Sequence, residues 1–517
     1  MSEADAREAL RLADLADLRV AVWGYGREGR AAVAALRRRF PKKALTLFCN
    51  EEEAAQLRAP RSLTPSLSSL PMGERAGVSG LSVNTSALQQ TDAQPPHPTL
   101  SPIARDGGEG LQDTALNIVT SNPDVIALSA FDVVIKSPGI SPYKSPVPQA
   151  QAAGVRFTSG SALWFAENPQ ARTICVTGTK GKSTVTALIA HLLRKVGKCV
   201  ALAGNIGMPL LDLLEPPRAA DWWVIELSSF QTRDFGGAPN VAVINNLYEE
   251  HLDWHGTRER YAADKLAIAA AARALVVNAL QPELLASTAD HAQRHLFGAD
   301  MGWRVHHAAI WRGRERVLAL DEVPLPGEHN ALNICAALAA IEAAGEDAIA
   351  AAAHVGTFRP LPHRLQKLGR SEGIDYVNDS IATTPYATIE ALRSLDDRHV
   401  AVIVGGFDRG VDWSAFVAHV AAEPPHAIVT SGANGARIAA ALATIAEPRF
   451  ALAAASTLEA ALQRARELTP AGGTILLSPG APSFDQFHDY AERGREFARL
   501  AGFDPAAIAQ IDGLGIA

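Results

Sequence analysis

The residues best suited to chemistry in this 517-residue chain lie in one run, Val176-Thr177-Gly178-Thr179-Lys180-Gly181-Lys182-Ser183-Thr184. Its glycines would let the backbone curl until N–H groups face phosphate oxygens. Lys182 would then reach the outer phosphates of a nucleoside triphosphate, and the Ser183 hydroxyl would hold Mg²⁺. The general phosphate-loop pattern has a glycine where Val176 stands, so a bland Gly/Ser/Thr turn before a helix is the alternative. Glu226 closes an apolar run, Trp222 to Ile225. A carboxylate at a strand end beside such a loop suits Mg²⁺, which prefers oxygen ligands. A second glycine-rich turn, Gly24-Tyr25-Gly26-Arg27-Glu28-Gly29, has the spacing of a dinucleotide fingerprint. The acid expected at the end of the next strand is missing, since that strand ends Phe48-Cys49-Asn50. This weakens an NAD or FAD reading of the turn.

These groups need strand–turn–helix elements to aim them. Arg19–Trp23 and Ala44–Phe48 read as strands flanking a helix over Gly29–Arg39, and Phe131–Lys136 as a third strand. Thr173–Val176 would feed the phosphate loop, with a helix over Val185–Lys195 after it. Trp222–Leu227 and Val241–Ile244 read as buried strands, and the Ala-rich Asn330–Ala344 as a long buried helix. Further strands are expected at Asp375–Val377, Val400–Val404, Ala427–Val429 and Thr474–Leu477. Alternating strands and helices indicate an α/β chain with mainly parallel sheets. The length suggests about three domains, placed at 1–166, 167–360 and 361–517. From about Pro60 to Asp113 the chain is rich in Ser, Pro and Gly and follows neither period. It reads as a disordered insertion whose deletion should be tolerated.

Apolar residues at 48% and charged residues at 20% allow full hydrophobic cores. A net charge of -7 argues against a nucleic-acid partner, which usually meets a basic field. Cys49, Cys175, Cys199 and Cys335 form no CxxC pair and read as buried, reduced thiols of a cytoplasmic protein. The start, MSEADAREAL, lacks the apolar stretch of a signal peptide, and no apolar run is long enough for a membrane span.

The T-G-T-x-G-K-S-T form of the loop resembles the ATP loop of the Mur ligases and folylpolyglutamate synthetases. The likeness to Mur ligases continues in register over nearly the whole chain outside the Ser/Pro-rich segment. It implies three domains: a Rossmann-like N-terminal one, a central P-loop ATPase-type one and a Rossmann-like C-terminal one. It also implies ATP-dependent ligation of glutamate to UDP-N-acetylmuramoyl-L-alanine through an acyl phosphate, in peptidoglycan precursor synthesis, by a monomer. ATP would be held by Gly178 to Thr184, by Asn330 and Asn333 in Gly327-Glu328-His329-Asn330-x-x-Asn333, by Arg364 in Leu361-Pro362-His363-Arg364, and by Asp379 in Asn378-Asp379-Ser380. Asn205, in Gly204-Asn205-Ile206-Gly207, would contact phosphate and substrate. His251, in Asn245-x-x-x-Glu249-Glu250-His251-x-Asp253, would ligate a second Mg²⁺. Lys265, in Tyr261-Ala262-Ala263-Asp264-Lys265, matches a lysine that CO₂ carbamylates, which turns an ammonium into an anion. From sequence alone it would be a solvated surface lysine.

The resemblance assigns the first turn to UDP. Gly24, Tyr25, Gly26, Arg27 and Glu28 would lie near the diphosphate, with Cys49 and Asn50 beside the uracil and Ser137, Pro138 and Gly139 opposite. The C-terminal domain would hold glutamate through Ser380, Ile381, Thr383, Arg409, Ser483 and Phe484. Ile381 and Arg409 stand where D-glutamate-adding members carry lysines, and lysine and arginine are not equivalent at such a site. These departures, with the segment AGFDPAAIAQIDGLG, resemble the branch that adds L-glutamate and works with a separate glutamate epimerase. The ordinary D-glutamate ligase and a folylpolyglutamate synthetase are the alternatives. The latter would not be expected to carry the Gly24-Gly26-Gly29 turn, and an NAD dehydrogenase leaves GTKGKST unexplained.

Overall fold

A computed structural model describes residues 9–58, 116–325, 327–395 and 399–517. The Ser/Pro-rich segment from about 60 to 113 lies outside the described residues. The chain forms three sheets, each with helices against it. The first sheet has β1 (Val20–Trp23), β2 (Leu45–Phe48), β3 (Leu116–Val119), β4 (Val133–Lys136) and β5 (Arg156–Thr158), all parallel, in the order β3-β2-β1-β4-β5. The second has β6 (Thr173–Thr177), β7 (Val200–Gly204), β8 (Trp222–Glu226), β9 (Val241–Ile244), β10 (Ala274–Asn278) and β11 (Arg294–Phe297) as parallel strands. It is extended by β12 (Trp303–His306), β13 (Ala309–Arg312) and β14 (Glu315–Ala319), the last two antiparallel. The third contains β15 (Gln366–Ser371), β16 (Ile374–Asn378), β17 (Val400–Val404), β18 (Ala427–Thr430), β19 (Ala451–Ala454) and β20 (Thr474–Leu477), in the order β15-β16-β20-β17-β18-β19. A short strand, β21 (Gly515–Ile516), leaves that third unit and pairs antiparallel with β7 at the edge of the second sheet.

Buried continuous runs explain the parallel sheets. Every residue of β6, β7, β8, β9, β10 and β17 is buried, as strands covered by helices on both faces require. The helix Glu328–Ala343 buries Ile334 to Ile341 without a break and packs on the helix Lys182–Lys195 within one core. In open parallel sheets ligands bind beyond the carboxyl ends of strands. Three sets of candidate residues fall there. Gly24 follows β1 and Ser137 follows β4. The phosphate loop follows β6, Glu226 ends β8, and Asn245 follows β9. Asp379 follows β16, Gly405 follows β17, and Ser478 follows β20.

The fold differs from the sequence expectations in several places, among them these. The helix after the phosphate loop begins at Lys182, not Val185, because the loop residues themselves form its first turn. The β12–β14 extension and β21 carry little of the apolar alternation that marks a strand. All four cysteines are free, and Cys199 alone of them is only partly buried. Among the described residues no helix is long and apolar enough to cross a membrane.

Candidate active site

The phosphate loop is fixed by asparagines from beyond β9. Asn246 Oδ1 accepts the N–H groups of Thr179 (3.0 Å) and Lys180 (2.8 Å). Asn245 Nδ2 donates to the Lys180 carbonyl (3.0 Å) and to Asn333 Oδ1 (2.8 Å). The Thr179 hydroxyl meets the Tyr261 hydroxyl at 2.7 Å. Gly181 has φ +77, and a Cβ there would lie 2.4 Å from Asn333 Oδ1. Only glycine fits without strain. Gly181 is also the residue that caps the helix Lys182–Lys195, and it has no side chain with which to do so. The first N–H groups of that helix are therefore available to an anion.

Around this loop the charged residues converge. Glu226 is 1% exposed. Its Oε1 accepts from Asn205 Nδ2 (2.7 Å), while Oε2 is buried with no hydrogen-bond partner among the described residues. A buried, orphaned carboxylate oxygen is costly, and a divalent cation would satisfy it. Among the described residues no three His, Cys, Asp or Glu side chains form a metal-binding group. Mg²⁺ is commonly bound through one or two carboxylates and completes its shell with phosphate and water, which a single buried carboxylate such as Glu226 suits. Ser183 Oγ accepts from Arg364 Nη2 (2.9 Å), so Arg364 of the third unit reaches the start of the phosphate loop's helix.

Lys182 Nζ turns back to the Thr179 carbonyl (2.9 Å). Burial lowers its pKa, opposed by Glu226 and Glu250. Lys265 is not the solvated lysine of the bare sequence: it is 2% exposed and donates to the Gly178 carbonyl (2.7 Å). Burial, then the Lys182 charge, holds its amine well below the usual lysine range. His251 sits at φ +56 with Nε2 3.7 Å from Glu250 Oε2, and its side chain is half exposed. Glu250 in turn pairs with Lys180 (2.9 Å).

On the opposite side of the loop, Asn330 and Asn333 are buried at the start of the Ala-rich helix, Asn333 Nδ2 donating to Asn330 Oδ1 (3.2 Å). Asp379 accepts from Leu365 N (3.1 Å) and Ser478 Oγ (2.8 Å), and burial raises its carboxyl to about 7.

The first unit touches the second through its glycine-rich turn and the turn after β4. A Cβ on Gly24 would lie 2.6 Å from Ser137 Oγ, and one on Gly29 1.9 Å from the Gly24 carbonyl. Nothing lies within 4 Å of a Cβ on Gly26, so the outer face of the turn is open to a ligand. Tyr25 lies beside it, Arg30 standing 5.8 Å over its ring. Arg27 Nη1 reaches the Gly207 carbonyl (3.4 Å). Cys49 is buried, and Asn50 caps the helix Glu51–Arg58 by accepting Glu53 N (2.7 Å). Pro138 and Gly139 lead into Ser141. The Gly139 carbonyl accepts Trp254 Nε1 (3.0 Å) and Ser141 Oγ donates to the Trp254 carbonyl (2.7 Å), joining β4's turn to the second unit.

In the third unit, Arg409 and Phe484 are exposed together: the guanidinium stands 5.8 Å over the Phe484 ring, and Phe407 meets Phe484 edge-on. Thr383 is exposed and Ile381 half-buried. Ser380 and Ser483 are buried, and the Ser380 hydroxyl is committed to the Tyr490 carbonyl (2.7 Å).

Several residues of the arrangement escaped sequence reading. Arg493 is 4% exposed and donates to the Ser380 hydroxyl and carbonyl and to the Ala481 and Pro482 carbonyls, tying together the two loops expected to hold glutamate. Gln231 donates its Nε2 to Glu28 (3.1 Å), a residue expected near the diphosphate, and burial raises the Glu28 carboxyl to about 7. His255 links Asp264 Oδ2 (2.7 Å) to Ser229 Oγ (3.0 Å). This Ser-His-Asp chain is buried throughout, so it braces the residue next to Lys265 and offers no nucleophile. Asn245 and Asn246 were the nearest to legible, standing at the end of an apolar strand.

Comparison with known proteins agrees with this geometry. Residues 176–341 match the Mur ligase middle domain, and 363–480 match the Mur ligase, glutamate ligase domain. A UDP-N-acetylmuramoyl-L-alanine--L-glutamate ligase of Xanthomonas euvesicatoria pv. vesicatoria (strain 85-10) is 47% identical over 519 residues, covering 98% of this chain and all of that one. One of Micromonospora sp. is 37% identical, over 95% of this chain and 97% of its own. Among solved structures, the UDP-N-acetylmuramate-alanine ligase MurC of Thermotoga maritima shares the fold at a TM-score of 0.56 and 17% identity, covering 93% of this chain and 98% of its own. Thermotoga maritima MurF in complex with ADP does so at 0.50 and 18%, covering 71% and 88%. Identity near one half along almost the entire length, on the same three-unit fold, makes this chain a member of the Mur ligase family.

Proposed function

We propose that this chain joins L-glutamate to UDP-N-acetylmuramoyl-L-alanine at the expense of ATP, forming ADP and phosphate in peptidoglycan precursor synthesis. The observation that carries the ligase reading is the convergence of Lys182, Glu226, Ser183 and Lys265 on one phosphate loop. The names of the relatives, identical at 37–47%, support the L-glutamate reading.

In the first step an alanine carboxylate oxygen attacks the γ-phosphorus. The bond from that phosphorus to the β,γ-bridging oxygen breaks, leaving ADP and an acyl phosphate. In the second step the glutamate amine attacks the acyl carbon, loses a proton, and phosphate departs from the tetrahedral intermediate. The protein's work is positioning and charge neutralisation. The loop amides and Lys182 would neutralise the transferring phosphoryl group. Asn205 would sit between substrate and Glu226, and Arg364 would bring the third unit to the nucleotide. Asn330 and Asn333 would line the adenosine side, with Asp379 steadying the Arg364 hinge through Leu365 N. Ser183 and Glu226 would hold one Mg²⁺ and His251 would ligate a second, and these ions would supply charge compensation to the phosphates when bound.

A lysine ammonium cannot ligate a cation. A neutral amine can take up CO₂, and burial, which holds the Lys265 amine well below the usual lysine range, favours that form and supports its carbamylation. The UDP moiety would lie on Gly24, Tyr25, Gly26 and Arg27, bounded by Cys49, Asn50, Ser137, Pro138 and Gly139. Glutamate would lie among Ile381, Thr383, Arg409 and Phe484, with Ser380 and Ser483 shaping the pocket from beneath. The substrates are cytoplasmic small molecules, and we place a monomeric enzyme there, upstream of a glutamate epimerase.

The test is phosphate release from ATP in the presence of UDP-N-acetylmuramoyl-L-alanine and glutamate, with each omitted in turn. Release should require both, and Lys182→Ala should abolish it. Release that persists without the UDP-linked substrate, or a fully active Lys182→Ala enzyme, would refute the reading.

A further inference from the structure

Strand β21 is the unexpected element. It lies at the edge of the second sheet, where β7 would otherwise present unpaired backbone groups. Val200 N donates to the Ala517 carbonyl (2.9 Å) and Ala517 N returns a bond to Val200 (3.1 Å). Gly515 faces Leu202 and Ile516 faces Ala201. Leu514 packs on the core around the Lys182–Lys195 helix and Ile516 on the core shared with the first unit. Two glycines make the path possible. Gly513 has φ +68, and a Cβ there would lie 2.0 Å from Arg194 Nη1, while Gly515 has φ +91 and crosses Met208.

What β7 carries gives this pairing a consequence. The strand ends at Gly204, and the turn Gly204–Gly207 presents Asn205, whose amide holds Glu226. Leu514 Cδ2 would be 3.3 Å from a Cβ on Gly207, and Arg27 Nη1 3.8 Å from the same point. The Gly207 turn, the first unit's Arg27 and Leu514 therefore meet. The segment starts on the third unit, where Phe503 packs on Tyr376 and Gly369, and Gln366 Nε2 donates to the Ile508 carbonyl (2.9 Å). One covalent strap thus runs from the glutamate side to the substrate turn.

We infer that Gly513–Ala517 is a positioning segment for the UDP-linked substrate: docked on β7, it holds the Gly204–Gly207 turn so that Asn205 faces Glu226 and the substrate. The inference rests on the assignment of this turn to the UDP-linked substrate under the proposed function. A two-residue strand docks weakly on its own. Tethering supplies it at an effective concentration in the mM range, so a separate peptide should be needed at about that level.

The experiment compares the full chain, a chain ending at Asp512, and Leu514→Ala in the phosphate-release assay. Truncation should raise KM for UDP-N-acetylmuramoyl-L-alanine by about tenfold or more and leave KM for ATP within about twofold. Leu514→Ala should shift the same KM in the same direction by less. A peptide spanning 504–517 at mM concentration should restore the truncated enzyme, and amides of residues 200–207 should exchange faster without the strap. An unchanged KM for the UDP-linked substrate, or equal rises for all three substrates, would overturn the inference. If the truncated chain does not fold, Leu514→Ala decides alone. A full chain that never needs the UDP-linked substrate would instead sink the functional reading.

Discussion

Asp379→Asn isolates one buried ionisation. The carboxyl is 7% exposed, accepts from Leu365 N and Ser478 Oγ, and is raised by burial to about 7 from an ordinary 3.8. Asparagine has the same shape. Its oxygen keeps the Leu365 bond, and the Ser478 hydroxyl can rotate to accept from its amide. The sign follows from proton linkage. Between about pH 4 and pH 7 the unfolded chain has released the proton and the folded chain has kept it, so stability falls as pH rises through that window. At about 1.4 kcal/mol per pH unit, the gap from 3.8 to about 7 amounts to at most about 4 kcal/mol, and water penetration brings a realistic figure to about 2–4 kcal/mol. Hydrogen exchange of the β16 and β20 amides reads the third unit by itself. Native protein and variant should match near pH 4, and the variant should be more stable by that amount above pH 8. Parallel curves, or a native protein that gains on the variant as pH rises, would refute the reasoning.

Three further outcomes are expected. Gly181→Ala should cost about 1–3 kcal/mol of stability, because the residue has φ +77 and its new Cβ would press on Asn333 and Asn245; a calorimetric melt checks this, and KM for ATP should rise with it. Removing dissolved CO₂ should lower activity several-fold and bicarbonate should restore it, whereas Lys265→Arg should stay inactive in both; activity indifferent to CO₂ would show that the buried amine acts unmodified. Arg493→Lys cannot fork between the Ser380 and Ala481–Pro482 loops, so KM for glutamate should rise about tenfold with KM for the UDP-linked substrate unmoved.

Much of this architecture was legible because its signals are local. Glycine spacing marks the phosphate loop and the Gly24 turn, since each needs backbone that other residues cannot adopt. The runs VAVI, VAVIV and TILL are read as buried strands because helices cover both faces. Glu226 could be placed because a strand-end acid beside a phosphate loop has few other uses. What stayed hidden depends on distant partners. Lys265 is an ordinary helix lysine until the fold brings Gly178 and Lys182 against it. Arg493 lies in a polar helix whose spacing gives no hint that its guanidinium bridges two loops. β21 is two residues long and takes its register from β7, not from its own pattern.

The central claim concerns which glutamate is joined, and one measurement addresses it directly. The enzyme is supplied with ATP, UDP-N-acetylmuramoyl-L-alanine and racemic glutamate, and the glutamate recovered by hydrolysis of the purified product is resolved on a chiral column. L-Glutamate should be found in the product and D-glutamate left in solution; a product carrying D-glutamate would contradict the L-glutamate assignment.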